Sequence, residues 1–220
     1  MARLNLLFDL DGTLTNSKEG IVRCVHFALD RLGVPWNDSD DLEWFIGPPF
    51  QESFAKLLGA DKKHLVPDAV ELYRERYRKI GMFENKLYDG IADCIIELGR
   101  TSNLYVATSK LTVFSRKILE HFFLDEHFRG IYGSELDGKN TDKGELIGYL
   151  LDQEKLLPET VFMIGDREHD MIGAKKNRIT GVGVGWGFGS ETELFSAGAE
   201  VVLNHPFELL GYFRGKVRAD

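Results

Sequence analysis

Two aspartates that could bind a metal ion stand two residues apart, directly after a short apolar run. They are Asp9 and Asp11, and Gly12 follows them. Side chains alternate faces along a strand, so the two carboxylates would share a face if the strand continued. Gly12 permits backbone angles that other residues resist, so we expect the chain to turn here. Open α/β sheets form their sites at the carboxyl ends of strands, and a divalent cation offsets the repulsion between adjacent carboxylates. The segment therefore predicts a metal site at a strand end.

A second pair of acids, Asp166 and Asp170, follows another apolar run and a glycine. Residues 161–164 are continuously apolar, which is typical of a central parallel strand that is buried on both faces. A spacing of four residues places the two carboxylates near each other if the chain continues as a helix. The alternative is that Asp166 only forms a turn and Asp170 only caps the helix.

A threonine and a lysine are the other candidates for chemistry. Thr108 ends a predicted strand over residues 104–108, where its hydroxyl could bind a phosphate oxygen with help from the backbone amides of Ser109 and Lys110. Lys143 lies at the start of a predicted helix, where a cation is mildly unfavourable against the helix dipole, which hints at a nearby anion. Each feature is common by itself, so its weight comes from the combination.

Length, composition and charge limit the classes of protein to which this chain can belong. The chain has 220 residues, of which 43% are hydrophobic and 28% charged, and its net charge is -8. This length suits one large domain or a core with a small accessory domain. The negative charge, without a cluster of lysines and arginines, argues against nucleic acid as a partner. We see no apolar stretch near the ~20 residues of a membrane span and no signal-peptide pattern, so we expect a cytoplasmic protein without membrane association. Cys24 and Cys94 have no metal or redox spacing.

The elements that must position these residues alternate along the second half of the chain. Helical patterns separate strand candidates at residues 104–108, 131–132, 161–164, 181–184 and 201–203. This alternation predicts a parallel sheet covered by helices, which is a doubly wound α/β fold.

Residues 16–84 have only helical periodicity and interrupt the α/β pattern after the first strand. We therefore expect a core of residues 1–15 and 85–220 with an inserted, all-helical domain at 16–84. The glycine-rich stretch 185–190 lacks the G-x-G-x-x-G pattern, so we interpret it as a surface loop and not as a dinucleotide site.

The order and spacing of the candidate residues resemble the four motifs of the haloacid dehalogenase-like (HAD) hydrolases. The matching positions are D-x-D-G-T at 9–13, Thr108, Lys143 and G-D-x-x-x-D at 165–170. The resemblance covers nearly the whole chain and implies a Rossmann-like core. The helical insertion resembles the cap of the subgroup that includes phosphoglycolate phosphatases and 5′-nucleotidases. Residues 45–50 (FIGPPF) resemble the cap loop that reaches over the active site in that subgroup, with Gly47 as a candidate substrate contact.

The resemblance implies a phosphatase that uses an aspartyl-phosphate intermediate. Asp9 would be the nucleophile, and Asp11 would protonate the leaving oxygen and then activate the hydrolytic water. Mg²⁺ would be held by Asp9, the backbone carbonyl of Asp11, Asp166 and waters, all of them hard oxygen ligands. The implied substrate contacts are Thr108, Ser109, Lys110, Lys143 and Gly47. Asp170 would hold Lys143 or the metal-bound waters in place.

The implied substrate is a small phosphomonoester, either phosphoglycolate or a nucleoside 5′-monophosphate. A dehalogenase is disfavoured because it has no use for the second acid, Asp11. A phosphonatase would need a Schiff-base lysine in the cap, and none stands out. A sugar phosphomutase of the same fold stays open, as does a catalytically silent binding or regulatory protein. Arginines of the insertion could select the substrate, and they are Arg23, Arg74, Arg76 and Arg78. The sequence makes no prediction of an oligomeric state.

Overall fold

The computed structural model describes residues 3–37, 41–47, 50–135 and 137–218. The chain divides into two compact units. The first extends to Asn16 and resumes at Leu87, and the second is Ser17–Lys86. The sequence pattern predicts domain borders at 15/16 and 84/85.

Strands and helices alternate through most of the first unit. The strands are β1 (Asn5–Phe8), β2 (Thr15–Asn16), β3 (Lys86–Leu87), β4 (Asn103–Leu111), β5 (Gly130–Ser134), β6 (Val161–Gly165), β7 (Thr180–Val184) and β8 (Val201–Leu203). The helices are α1 (Lys18–Arg31), α2 (Phe50–Leu58), α3 (Val66–Lys79), α4 (Ile91–Thr101), α5 (Thr112–His121), α6 (Lys143–Glu154), α7 (Glu168–Lys176), α8 (Glu191–Ala197) and α9 (Pro206–Arg218). Of these, α8 and α9 were not predicted.

A six-stranded parallel sheet with the order β5-β4-β1-β6-β7-β8 forms the centre of the first unit, which confirms the predicted doubly wound fold. β1 and β6 are buried along their whole length, as the apolar runs at residues 6–8 and 161–164 predict. Leu7, Tyr105 and Met163 of neighbouring strands pack with Leu146 and Leu150 of α6 in one core. Each fully buried side chain of this size contributes roughly 1.5–3 kcal/mol. This packing fixes the strand ends from which the candidate site is built.

The expected end of a strand at Thr108 is wrong. β4 continues to Leu111, but its pairing with β5 shifts register between Ala107 and Leu111. Regular pairing therefore stops just before Thr108, and the strand around it is irregular.

The second unit is helical and packs around aromatic side chains. Phe45, Phe54 and Tyr73 are buried, and the Phe45 and Phe54 rings meet edge to face at 4.9 Å between centroids. Gly47 has a φ of 110°, which favours glycine. Pro48 and Pro49, the centre of the expected FIGPPF loop, lie outside the described residues.

Two of the arginines considered for substrate selection are engaged inside the second unit. Arg76 binds Glu84 through both terminal nitrogens, at 2.6 and 3.0 Å, and Arg23 binds the same carboxylate at 2.8 Å. The hydrogen bond from Arg76 is the main cause that lowers the pKa of Glu84. Among the described residues of the whole chain, no helix is both long and apolar enough to cross a membrane.

Candidate active site

The carboxyl ends of three neighbouring strands place the candidate residues. Asp9 directly follows β1, Asp166 directly follows β6, and Thr108 lies in β4 on the other side of β1. The Asp9 amide donates to the Ile164 carbonyl at 2.9 Å, so pairing with β6 continues through this residue. The parallel sheet thereby brings together acids that are far apart in sequence.

The chain turns sharply after Asp9, as the glycine predicted. The Leu10 carbonyl accepts hydrogen bonds from the amides of Leu14 and Thr15, and Gly12 has a φ of 87°. A Cβ atom at Gly12 would lie 2.1 Å from Oδ2 of Asp166, so only glycine fits here.

Lys143 links two of the acids. Its Nζ lies 2.8 Å from Oδ1 of Asp9, 2.8 Å from Oδ1 of Asp170 and 3.0 Å from the Ala107 carbonyl. Burial alone would lower the pKa of Lys143, but Asp170 and Asp9 outweigh burial and raise it. The ammonium therefore stays charged. Asp142 caps α6 by accepting from the Glu145 amide, which places Lys143 at the first turn.

Three buried carboxylates form a cluster that suits a divalent cation. Oxygen atoms of Asp9, Asp166 and Asp170 lie within 4.8 Å of one another. Burial raises the pKa of Asp166 well above its ordinary value, and the charges of Asp170 and Asp9 raise it further. Burial likewise raises the pKa of Asp170, against the opposing charge of Lys143. One ammonium cannot balance three carboxylates, and hard oxygen ligands are those that Mg²⁺ prefers. The residues therefore fit the ion that the sequence predicted.

Asp11 points its carboxylate elsewhere. Its Oδ2 lies 2.6 Å from Nζ of Lys110, and both side chains are largely buried. Its Oδ1 is buried and has no hydrogen-bond partner within the described ranges. The side chain of Asp11 is thus not a member of the three-carboxylate cluster, whereas that of Asp170 is. The ion pair with Lys110 is a feature that the sequence did not predict.

The remaining predicted substrate contacts differ in position. Thr108 is buried, and its hydroxyl accepts from the Lys110 amide at 3.3 Å. Ser109 is exposed, and its carbonyl accepts from the Ser134 hydroxyl. Gly47 belongs to the second unit. The structure therefore groups Asp9, Asp166, Asp170 and Lys143 tightly, and it pairs Lys110 with Asp11 beside them.

The glycine-rich stretch 185–190 contacts the cluster, which its interpretation as a surface loop missed. The Phe188 amide donates to Oδ2 of Asp166 at 2.8 Å. A Cβ atom at Gly187 or Gly189 would collide with Asp166. A signal for this contact was available, because the stretch follows β7, and β7 is the neighbour of the strand that carries Asp166.

Comparison with known proteins gives concordant matches. The family model for haloacid dehalogenase-like hydrolases matches residues 6–184. A 5′-nucleotidase from Pseudomonas aeruginosa is 54% identical over 191 residues, which are 86% of each chain. The tyrosine-protein kinase PtkA of Mycobacterium tuberculosis is 40% identical over 187 residues, which are 84% of this chain and 62% of PtkA. The crystal structure of a predicted phosphatase from Clostridium acetobutylicum superposes with a TM-score of 0.88 at 42% identity, covering 98% of this chain and 100% of that one.

Proposed function

The chain belongs to the haloacid dehalogenase-like hydrolase family, and on that premise we propose that it is a Mg²⁺-dependent phosphatase that cleaves small phosphomonoesters through an aspartyl-phosphate at Asp9. Its family and its phosphatase-named relatives make it a phosphoric monoester hydrolase. The metal and the nucleophile are supported by the geometry of the site.

One arrangement carries the proposal. The buried ammonium of Lys143 lies 2.8 Å from Oδ1 of both Asp9 and Asp170, and Asp166 completes the acidic cluster. The ammonium orients the Asp9 carboxylate at the end of its strand. A structural ion pair would need one acid for one lysine, and burying two further carboxylates beside it is costly without a cation.

The chain's own residues supply the proton and bond changes. A carboxylate oxygen of Asp9 forms a bond to phosphorus as the bond between phosphorus and the ester oxygen breaks. Asp11 gives a proton to the departing oxygen. It then takes a proton from the water that attacks the aspartyl-phosphate, which releases phosphate and restores Asp9. Thr108 donates a hydrogen bond to a phosphoryl oxygen, and the charge of Lys143, whose three donors bind Asp9, Asp170 and the Ala107 carbonyl, offsets the negative charge of the phosphoryl group.

A cation held by Asp9, Asp166 and the Asp11 carbonyl, with Asp170 close by, would neutralise charge on the transferring phosphoryl group. Nucleoside 5′-monophosphates are the substrate class we favour over phosphoglycolate, because the relative at 54% identity is named a 5′-nucleotidase. We further propose that the helical unit, residues 17–86, is the cap that selects the substrate.

The test measures inorganic phosphate released from a panel of esters: nucleoside 5′-monophosphates, 2-phosphoglycolate, glucose 1-phosphate and p-nitrophenyl phosphate. Asp9→Asn should lower kcat by about 10³-fold or more, since it removes the nucleophile but keeps an oxygen for Lys143. Asp152→Asn, at an exposed position of α6, is the matched control and should leave kcat unchanged. Wild-type kcat in the Asp9→Asn protein would refute the assignment of the nucleophile.

A second candidate is phosphoryl transfer to a protein tyrosine, which the likeness to PtkA favours. The same aspartyl-phosphate would then pass its phosphoryl group to a phenol instead of water. A protein that transfers to tyrosine would place labelled phosphate on a tyrosine peptide. A sugar phosphomutase would place it on an isomerised sugar, and a phosphatase would release it into solution. No phosphate release or transfer with any substrate would indicate a binding protein.

A further inference from the structure

A glycine-rich segment around Asp166 has no role in the chemistry described above. We propose that this segment, residues 185–190 and here called the collar, presets the Asp166 carboxylate for a divalent cation, with Trp186 and Glu193 as positioning residues that fasten it. The inference rests on the proposed function, since Asp166 needs positioning for a cation only if the protein binds one.

The collar fixes the orientation of the carboxylate directly. The Phe188 amide donates to Oδ2 of Asp166 at 2.8 Å, and the Thr13 hydroxyl donates to Oδ1 at 3.3 Å. Each oxygen therefore has a donor, and each keeps a further lone pair for another ligand. Because Asp166 is fully buried, these donors determine how the carboxylate presents itself to Asp9 and Asp170.

Glycines allow an approach too close for any other residue. A Cβ atom at Gly187 would lie 2.3 Å from Cβ of Asp166, and one at Gly189 would lie 1.9 Å from its carbonyl oxygen. A Cβ atom at Gly12 would likewise lie 2.1 Å from Oδ2 of Asp166, and one at Gly187 would lie 2.4 Å from the Gly12 carbonyl oxygen. Backbone from two segments thus packs directly against Asp166 and leaves its buried side chain little space to move.

Two side chains, Trp186 in the collar and Glu193 just beyond it in α8, bind the segments that flank the carboxylate. Nε1 of Trp186 donates to the Thr13 carbonyl at 3.0 Å, next to the hydroxyl that binds Asp166. Oε1 of Glu193 accepts from Nε of Arg167 and from the Glu168 amide, both at 2.8 Å. These two donors directly follow Asp166 in the sequence.

The groups of the collar contact Asp166, a predicted metal ligand, and not the position of the ion itself. Groups that orient a ligand from behind typically change metal affinity 10–100-fold when they are removed, although they never touch the ion. A collar that only stabilised the fold would change the unfolding temperature and leave the affinity for the ion unaltered.

The experiment measures the Kd for Mg²⁺ alone by isothermal titration calorimetry on the full chain without substrate. Trp186→Phe removes the indole N–H and keeps a ring, and Glu193→Ala removes the acceptor just beyond the collar. Glu191→Ala, an exposed acid in the same first turn of α8, is the matched control. We expect each test variant to raise the Kd about 10-fold or more, and the control to leave it unchanged.

Kinetic and unfolding measurements distinguish a positioning role of Trp186 and Glu193 from a purely structural role. At saturating Mg²⁺ both variants should recover most of the wild-type kcat with an unchanged KM for the ester, because the reacting groups are intact. Test variants that fold and bind Mg²⁺ with the wild-type Kd would overturn the collar's role, whatever their unfolding temperature. A wild-type protein that binds no Mg²⁺ would instead refute the metal in the proposed function, and the inference with it.

Discussion

Replacing Asp166 by asparagine should make the metal-free protein more stable while it abolishes Mg²⁺ binding and turnover. The substitution removes one of three buried carboxylates and keeps the shape of the side chain. Its amide oxygen can accept from the Phe188 N–H, and its NH₂ can donate to the Thr13 hydroxyl, which rotates to accept. No hydrogen bond of the wild-type side chain needs to be lost.

The size of the expected stabilisation follows from the protons that this one carboxyl binds in the folded and in the unfolded state. Its pKa is about 3.9 in an unfolded chain, and burial with the charges of Asp170 and Asp9 raises it in the folded protein. Between the two pKa values the folded state binds more protons than the unfolded state. The free energy of unfolding therefore falls as pH rises, by up to about 1.4 kcal/mol per pH unit. At pH 7 the cost of Asp166 is at most about 4 kcal/mol.

The assay is thermal unfolding in EDTA between pH 5 and pH 8, repeated with Mg²⁺. Each kcal/mol of this gain corresponds to a Tm rise of roughly 2–4 °C for a chain of this size. The wild-type Tm in EDTA should fall with rising pH more steeply than that of the Asp166→Asn protein. Mg²⁺ should raise the wild-type Tm by stabilising the folded state, and it should have little effect on the variant.

Two results would refute this reasoning. One is an Asp166→Asn protein that is no more stable than the wild type at pH 7 in EDTA. The other is an unchanged pH dependence, which would mean that the buried carboxyl is not under electrostatic strain. Asp152→Asn makes the same chemical change at an exposed position and should move neither quantity.

Two further predictions concern residues next to the cluster. Lys110→Met should lower kcat/KM for an alkyl phosphate about 10-fold or more relative to p-nitrophenyl phosphate. Lys110 holds the Asp11 carboxyl in place, and an alkoxide leaving group depends strongly on the proton that Asp11 donates, whereas p-nitrophenolate does not. Asp142→Ala should cost about 1 kcal/mol of stability at pH 7 in chemical denaturation, since it removes the cap of α6. The Glu145 amide and Lys176 lower the pKa of Asp142, so this cost should begin to shrink as pH falls below about 4 and be lost as pH passes the lowered pKa.

The prediction for Lys110 has a control within the chain. Lys139→Met removes an exposed lysine that pairs with Asp137 and should affect neither substrate. Equal losses on both substrates in Lys110→Met would mean that Lys110 acts on binding and not on Asp11. A cost of Asp142→Ala that does not begin to shrink as pH falls below about 4 would contradict the electrostatic part of the cap.

The sequence predicts the frame of the site because that frame depends on local patterns. Two continuous apolar runs indicate central parallel strands, which predicts that Asp9 and Asp166 lie at carboxyl ends of the sheet, and the structure makes the two strands neighbours. The partner of a long side chain is different. Lys110 reaches Asp11 from a strand about a hundred residues away, and its direction depends on a register shift that no periodicity encodes. The contact of Phe188 with Asp166 was missed for a different reason, because it is made by backbone and not by a recognisable side chain.

The central position of β1 has a consequence for folding during synthesis on the ribosome. Leu6 pairs with Leu104 on one side and Phe162 on the other, so the strand that carries Asp9 leaves the ribosome long before either neighbour. At roughly 5–20 residues per second, several seconds pass before β6 is made, and the last acids follow it. A nascent chain therefore has neither the acidic cluster nor its repulsion. The mutually repelling carboxylates are brought together only when most of the sheet that must hold them already exists.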